Sequence, residues 1–306
     1  MTATTHDTAP VTPAIRPEAG PQPSPRRRRP SLLRAGQAPN VLGGLAGTFW
    51  LLVTIVPIYY IVVTSLRPRE EYYSANPLSL PANPTLGAYQ RVLENEFLLY
   101  FANSAIVAVA TVAVVLAISL LASYVIVRNR GRFARFSHRL FLLGIAIPIQ
   151  ATIIPVYYLI VQLGLYDSLL ALILPGIAFA IPISVLILTN FLRDIPTSLY
   201  EAMTIDGASH WQMFRLLVLP LSKPAIVTVG IYDALQVWNG FLFPLVLTQS
   251  SEVRVLPLSL WSYQGEFAVD VPAVLAAVVL SCVPILAAYI LGRKQLISGL
   301  TAGFSK

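Results

Sequence analysis

Asp233, Gln236, Asn239 and Gly240 recur at helical spacing, so a helix through them carries its polar groups on one face of an otherwise apolar stretch. A carboxylate placed there near mid-membrane costs about 2.5–3.5 kcal/mol on insertion scales. It must therefore face a partner helix or a water-filled path. One use is to line a polar pathway or lock one conformation. The other is a structural hydrogen bond at a helix–helix contact, with Gln150, Gln162 or Asn190 as candidate partners. Asp233 stands nine residues past Pro224, which also allows a position shallower than the membrane centre. Asn103 and Ser104 read as caps or bridges between helices. No constellation reads as catalytic. His6, His138 and His210 lie in the tail or in polar connections, so they form neither an intramembrane relay nor a metal site. Lys223, Lys294 and Lys306 lack the glycine-rich context of a phosphate-binding loop.

A second polar constellation runs from Ile195 to Pro220, between two very apolar stretches, and reads as helix, turn, helix. Ser198 with Glu201 predicts a capping box, and Ser209 with Gln212 predicts another. Asp206-Gly207 between them is a pair that tolerates left-handed backbone angles. Trp211, Phe214 and Val218 give the second helix an apolar stripe. That stripe needs cover, and two short helices between membrane spans make no core of their own, so the segment reads as a docking surface.

The elements that must hold these residues are membrane spans. Of 306 residues, 56% are hydrophobic and 11% charged, against roughly 25% charged in soluble proteins. Six stretches reach the ~20 apolar residues a bilayer requires: Val41–Leu66, Phe97–Val127, Leu140–Leu163, Ser168–Leu192, Pro224–Leu247 and Val271–Gly292. Pro57, Pro148, Pro155, Pro175, Pro182, Pro244 and Pro284 predict kinks, tolerated where neighbours re-satisfy freed carbonyls. Lys and Arg number six in the N-terminal tail, five from Arg128 to Arg139, three from Arg193 to Lys223 and three at the end. Those seventeen face four on the other side: Arg67, Arg69, Arg91 and Arg254. The bias predicts six spans with both termini cytoplasmic, which puts residues 195–220 in the cytoplasm.

The net charge of +7 is thus topology information, and nucleic acid is not an expected partner. The lone Cys282 excludes a disulfide framework and a Cys/His metal cluster. Residues 1–39, rich in Pro and closing near Arg26–Arg29, read as a disordered cytoplasmic tail whose arginines anchor beside anionic lipid. No cleavage site follows the first apolar run, so a signal peptide is not expected. Trp261 and Tyr263 either stack on a sugar or a partner, or belong to an interfacial aromatic belt.

Glu201-Ala202-Met203, Asp206-Gly207-Ala208 and Leu219-Pro220 resemble the E-A-A loop of bacterial ATP-binding-cassette importers, in their membrane-spanning permease subunits. Met203 stands where alanine is usual, and a flexible thioether is easily accommodated at a docking surface. Trp238-Asn239-Gly240-Phe241 with Pro244 resembles the W-N-x-F…P segment of sugar importers of the maltose-system type. Ser298-Gly299-Leu300-Thr301-Ala302-Gly303 is similar to the G-L-T-A-G ending of one of their two permeases.

The resemblance covers about residues 40–306, the expected transmembrane permease domain. It implies an all-α membrane protein of six kinked transmembrane helices, with cytoplasmic coupling helices between spans four and five. It also implies ATPase contacts at Glu201, Ala202, Met203, Asp206, Gly207, Ala208, Trp211, Phe214 and Pro220, and at Gly299, Leu300, Thr301 and Gly303. The partners it implies are a homologous second permease, two copies of a cytoplasmic ATP-binding subunit, an extracytoplasmic sugar-binding protein and the lipid bilayer. No cofactor is expected on this chain; ATP and Mg belong to the partner ATPase. Amino-acid, peptide or phosphate cargo stays open, because the loop is shared across cargo types. An ion-coupled secondary transporter or channel would call for several intramembrane ionisable groups, where Asp233 stands alone. A scaffold or receptor leaves the loop spacing unexplained.

Overall fold

The computed structural model describes residues 41–129, 131–263 and 269–302, so the tail and Gly303 lie outside the described residues. It divides into residues 1–51, described from 41 on as the opening of α1, and residues 52–306. In chain order the helices are α1 (Val41–Ser65), α2 (Arg69–Tyr72), α3 (Gly87–Glu94), α4 (Phe97–Arg128), α5 (Arg132–Ile145), α6 (Ile149–Gln162) and α7 (Leu170–Arg193). They continue as α8 (Thr197–Ile205), α9 (His210–Met213), α10 (Leu219–Leu221), α11 (Lys223–Trp238), α12 (Leu242–Leu247), α13 (Leu256–Ser259) and α14 (Val271–Ala302). No strand occurs among the described residues.

Four helices, α1, α4, α7 and α14, are long and apolar enough to cross a bilayer unbroken, where the sequence predicts spans one, two, four and six. The count reaches six only if two bent pairs, α5 with α6 and residues 210–221 with α11 (71°), each make one span. The third predicted span is corrected in this respect: α5 and α6 meet at 103° rather than forming one helix. Pro148 is the cause, holding ψ 128° and disfavouring a helical conformation at Ile147 before it. The fifth is also corrected: α11 ends at Trp238, and the chain resumes helix only at Leu242. By contrast, the helices run on through Pro57, Pro155, Pro175, Pro182 and Pro284.

Close packing of small residues joins the long helices, the mode expected where lipid removes the hydrophobic drive for association. Along α4, Ser104, Ala108, Thr111, Val115, Ser119 and Ser123 recur every three or four residues and are buried. Against that stripe α7 brings Gly176, where an added Cβ would sit 3.3 Å from Thr111 Cγ2. Ser123 Oγ donates to the Val185 carbonyl at 3.3 Å. At the crossing of α5 with α7, a Cβ on Gly144 would lie 2.9 Å from Pro182 Cγ. Ala273, Ala276 and Ala277 of α14 pack with Ala88 and Val92 of α3, beside Tyr100 and Tyr263.

The connections are pinned by buried polar groups. Arg67 is fully buried and its Nη2 donates to the carbonyls of Asn76 and Ser79. Arg91 Nε pairs with Asp270 Oδ2 at 2.9 Å, and Asp270 Oδ1 accepts from Ala273 N at the start of α14. Asn103 Nδ2 donates to the carbonyls of Glu252 (2.8 Å) and Arg254 (2.9 Å), while Ser104 Oγ accepts from Leu256 N at 2.8 Å. The bridging role predicted for Asn103 and Ser104 thus takes the form of a tie from α4 to the loop before α13. Tyr263 is buried in the core, contrary to an exposed stacking or belt role, whereas Trp261 stays exposed and meets Phe241 edge-on at 5.7 Å.

Candidate functional site

Residues 195–221 do fold as helix, turn, helix. α8 starts after Pro196, which occupies the cap position with ψ 131°. Ser198 therefore falls inside the first turn, and the capping box predicted for Ser198 and Glu201 does not form. Glu201 is instead exposed, with no hydrogen bond or ion pair to any described residue. At the other end Gly207 takes φ +77°, with Gly207 N donating to Thr204 O and Ala208 N to Met203 O. This pair of bonds is the Schellman closure, which needs a residue free to turn left-handed. Ser209 then caps α9 as predicted: its Oγ accepts from Gln212 N at 3.3 Å, and Gln212 Oε1 accepts from Ser209 N at 2.7 Å.

After α9 the chain widens into a π turn at Phe214–Val218, with Leu219 N donating to Phe214 O. Pro220 has no N–H to return to the Leu216 carbonyl, so a tighter α turn would gain nothing there. The apolar stripe is corrected in its cover. Phe214 and Val218 pack on this chain's own core, with Tyr124, Leu188, Leu192 and Val229 from α4, α7 and α11. Phe214 meets Tyr124 edge-on at 5.5 Å, and Tyr124 OH donates to the His210 carbonyl. Tyr200 is 2% exposed, with the Arg128 guanidinium carbon 4.4 Å above its ring. Burial raises the Tyr200 phenol above its ordinary pKa, outweighing the Arg128 charge.

What faces outward is a different set. Ile205 is 86% exposed, Leu216 64% and Trp211 62%, the last stacked on Phe214 at 5.4 Å. Ala202, Asp206 and Pro220 are exposed beside them, while Met203 and Ala208 are half-buried.

The polar face of α11 opens on a cavity of about 270 Å³ between α4, α7, α11 and α12. Asp233, Gln236 and Gly240 line it, with the aromatic rings of Phe179, Tyr232, Trp238, Phe241 and Phe243. Asp233 is 1% exposed and its Oδ2 accepts from Ser184 Oγ at 2.8 Å. None of Gln150, Gln162 and Asn190 is its partner. Ser184 sits in the apolar run of α7, two residues past Pro182, and nothing in its spacing marks it in sequence. Asn239 leaves the face predicted for it. At the C-terminus of α11 its Nδ2 folds back on the Leu235 carbonyl, and it lines a smaller cavity with Ser281 and Cys282.

Two long apolar helices locked by small residues, an exposed helical pair on their ends and an aromatic cavity between them suit passage rather than chemistry. Residues 113–295 match the family described as "Binding-protein-dependent transport system inner membrane component". The chain belongs to that family. This inner-membrane component is 41% identical over 257 residues to the putative ABC transporter permease protein ORF2 of Caldicellulosiruptor sp. (strain Rt8B.4), across 84% of this chain and 94% of that one. It is 30% identical to the diacetylchitobiose uptake system permease protein NgcG of Streptomyces coelicolor, across 83% and 85%. It is also 30% identical to the multiple sugar-binding transport system permease protein MsmG of Streptococcus mutans, across 83% and 93%. A bacterial ABC transporter importing the acidic polysaccharide alginate has a chain that superposes with TM-score 0.75 over 83% of this chain and 95% of that one. At 24% identity that likeness speaks to fold alone.

In this inner-membrane component Gly299, Leu300 and Thr301 fall in the last turns of α14, and Gly303 lies outside the described residues.

Proposed function

We propose that this chain is the permease subunit of an ATP-driven sugar importer and forms half of its translocation pathway. The observation that carries the reading is the helix pair of residues 197–221. Its inner face is packed on the ends of α4, α7 and α11, and its outer face presents Glu201, Ile205 and Trp211 exposed. A partner that moves these helices moves the spans packed on them, and α7 and α11 also line the cavity. Sugar cargo is supported by relatives named for diacetylchitobiose and for multiple sugars, and by the aromatic lining.

In this reading the chain has six spans, α5 with α6 making the third and α11 with α12 the fifth, with residues 197–221 and both termini cytoplasmic. It assembles with a homologous second permease, two copies of a cytoplasmic ATP-binding subunit and an extracytoplasmic sugar-binding protein. ATP and Mg sit on the partner ATPase, and this chain binds no cofactor. Glu201, Ala202, Met203, Asp206, Gly207, Ala208, Trp211, Phe214, Pro220 and the ending at Gly299, Leu300, Thr301 and Gly303 form the ATPase contact; Phe214 acts from beneath, by supporting Trp211. Asp233, Gln236 and Gly240 line the pathway, and Asn239 stands at its edge. ATP-driven closure of the ATPase pair tilts the spans from inward- to outward-open, a near-complete swing taking about 5.5 kcal/mol of differential affinity.

The test is to co-purify the chain with its neighbouring subunits, wild type against Glu201→Ala/Gly207→Asp. The variant should keep the second permease, lose the ATPase and lose ATP-driven uptake. Retention of the ATPase with normal uptake would overturn the docking assignment. Ion-gradient-driven uptake by the chain alone would overturn the importer.

A further inference from the structure

Asp233 is the only charged residue among the described residues that line the larger cavity; no Lys, Arg or His faces it. Its carboxylate is satisfied on one side only. Ser184 donates to Oδ2, and Oδ1 has no hydrogen-bond partner among the described residues although the side chain is almost wholly buried. The space beside it, about 270 Å³, has room for several polar groups of a ligand. The single Ser184 proton, which Oδ2 shares with the Ala180 carbonyl at 2.9 Å, leaves most of the carboxylate's acceptor capacity for a ligand, and the apolar walls leave its field unscreened. Aromatic and aliphatic side chains line the rest of the cavity and bring no opposing charge to it. The one fixed charge this chain contributes to the cavity therefore repels anions and welcomes cations or hydrogen-bond donors.

We propose that this chain's half of the pathway selects cargo by charge, with Asp233 as the selecting group. Neutral sugars and amino sugars pass, their hydroxyl or ammonium groups donating to Oδ1, whereas sugars bearing a carboxylate or sulfonate are turned away. This rests on the permease reading of the cavity and names its cargo class.

The test needs no knowledge of the cargo. In the complete transporter, with its partner subunits made cysteine-free, Cys282→Ser removes this chain's one native thiol and Gln236→Cys places a thiol in the cavity. That position is one turn along α11 from Asp233, about 5–6 Å between Cβ atoms. Cationic and anionic methanethiosulfonates of similar size are applied from each side of membrane vesicles, with and without ATP. Each rate is divided by the same reagent's rate on a free small thiol. The cationic reagent should be favoured about tenfold or more, and Asp233→Asn should bring the ratio back to the free-thiol value while Asp233→Glu keeps the bias. In uptake competition an amino sugar should compete where the matching uronate does not.

Modification that blocks uptake but runs at the free-thiol ratio would overturn the charge selection and leave the permease reading standing. A bias unchanged in Asp233→Asn would overturn Asp233 as its source. No modification from either side, with or without ATP, would overturn both. If Asp233→Asn does not assemble, the ratio in the protein with Asp233 intact decides.

Discussion

At the scale of single residues, Asp167 shows how one side chain closes a loop. It takes φ +58°, its N–H donates to the Leu247 carbonyl, and its Oδ1 accepts from the backbone N–H groups of Gln249 (2.7 Å) and Ser250 (3.0 Å). Those bonds, led by the Gln249 N–H, hold its carboxyl below the usual carboxylate range. A depressed folded value stabilises above the unfolded pKa of about 3.9 and is lost as the pH falls through the folded one. Asp167→Asn should lower thermal stability at neutral pH by no more than about 1 kcal/mol, because the site is partly exposed. The gap to wild type should close below about pH 4; a gap that stays constant across the titration would deny the carboxylate its role. Sequence alone made Ser209 and Gln212 legible because their cap is local. It mistook Ser198 and Glu201 because Pro196 takes the cap position first, and it missed Ser184 because a serine in an apolar run is ordinary until Asp233 is seen beside it.

At the scale of elements, the join between α4 and α8 turns on Tyr200. Its ring is buried under the Arg128 guanidinium, and its hydroxyl is buried without a partner among the described residues. Removing an unsatisfied buried hydroxyl relieves a desolvation cost, so Tyr200→Phe should leave stability equal or slightly raised. Tyr200→Ala empties a site that holds a full aromatic ring, and large aromatic truncations cost about 3–5 kcal/mol. Limited proteolysis of the detergent-solubilised complex reads the difference. Cleavage within residues 195–220 should rise sharply in Tyr200→Ala and not in Tyr200→Phe, and equal cleavage in both would show that the ring does not anchor α8. Element type was legible here from apolar length. The breaks were not: Pro148 and Pro155 look alike in sequence, yet only the first interrupts its helix.

At the scale of the whole molecule, the charge bias fixes an expected topology. In a Cys282→Ser background, Asn83→Cys and Glu252→Cys should react with an impermeant maleimide added to intact cells. Ser198→Cys should react only after permeabilisation. Labelling of Ser198→Cys from outside would invert the proposed arrangement and remove residues 195–220 from the ATPase side. The membrane class was legible in composition, because 11% charge leaves too little polar surface for a soluble domain. Which faces meet one another was not, since small residues such as Gly144, Gly176 and Ala276 acquire meaning only from the helix opposite.

The tie at Asn103 has a consequence for how this sequence can drift. Asn103 and Ser104 hold the loop before α13 through main-chain atoms alone: two carbonyls and one amide. The grip is therefore blind to the side chain of Glu252. That position is free to vary among descendants of this gene without moving the loop. The cost falls on Asn103, whose two donors no other residue of its size supplies. A surface that must adapt to changing partners can thus change its outer chemistry while its frame stays fixed.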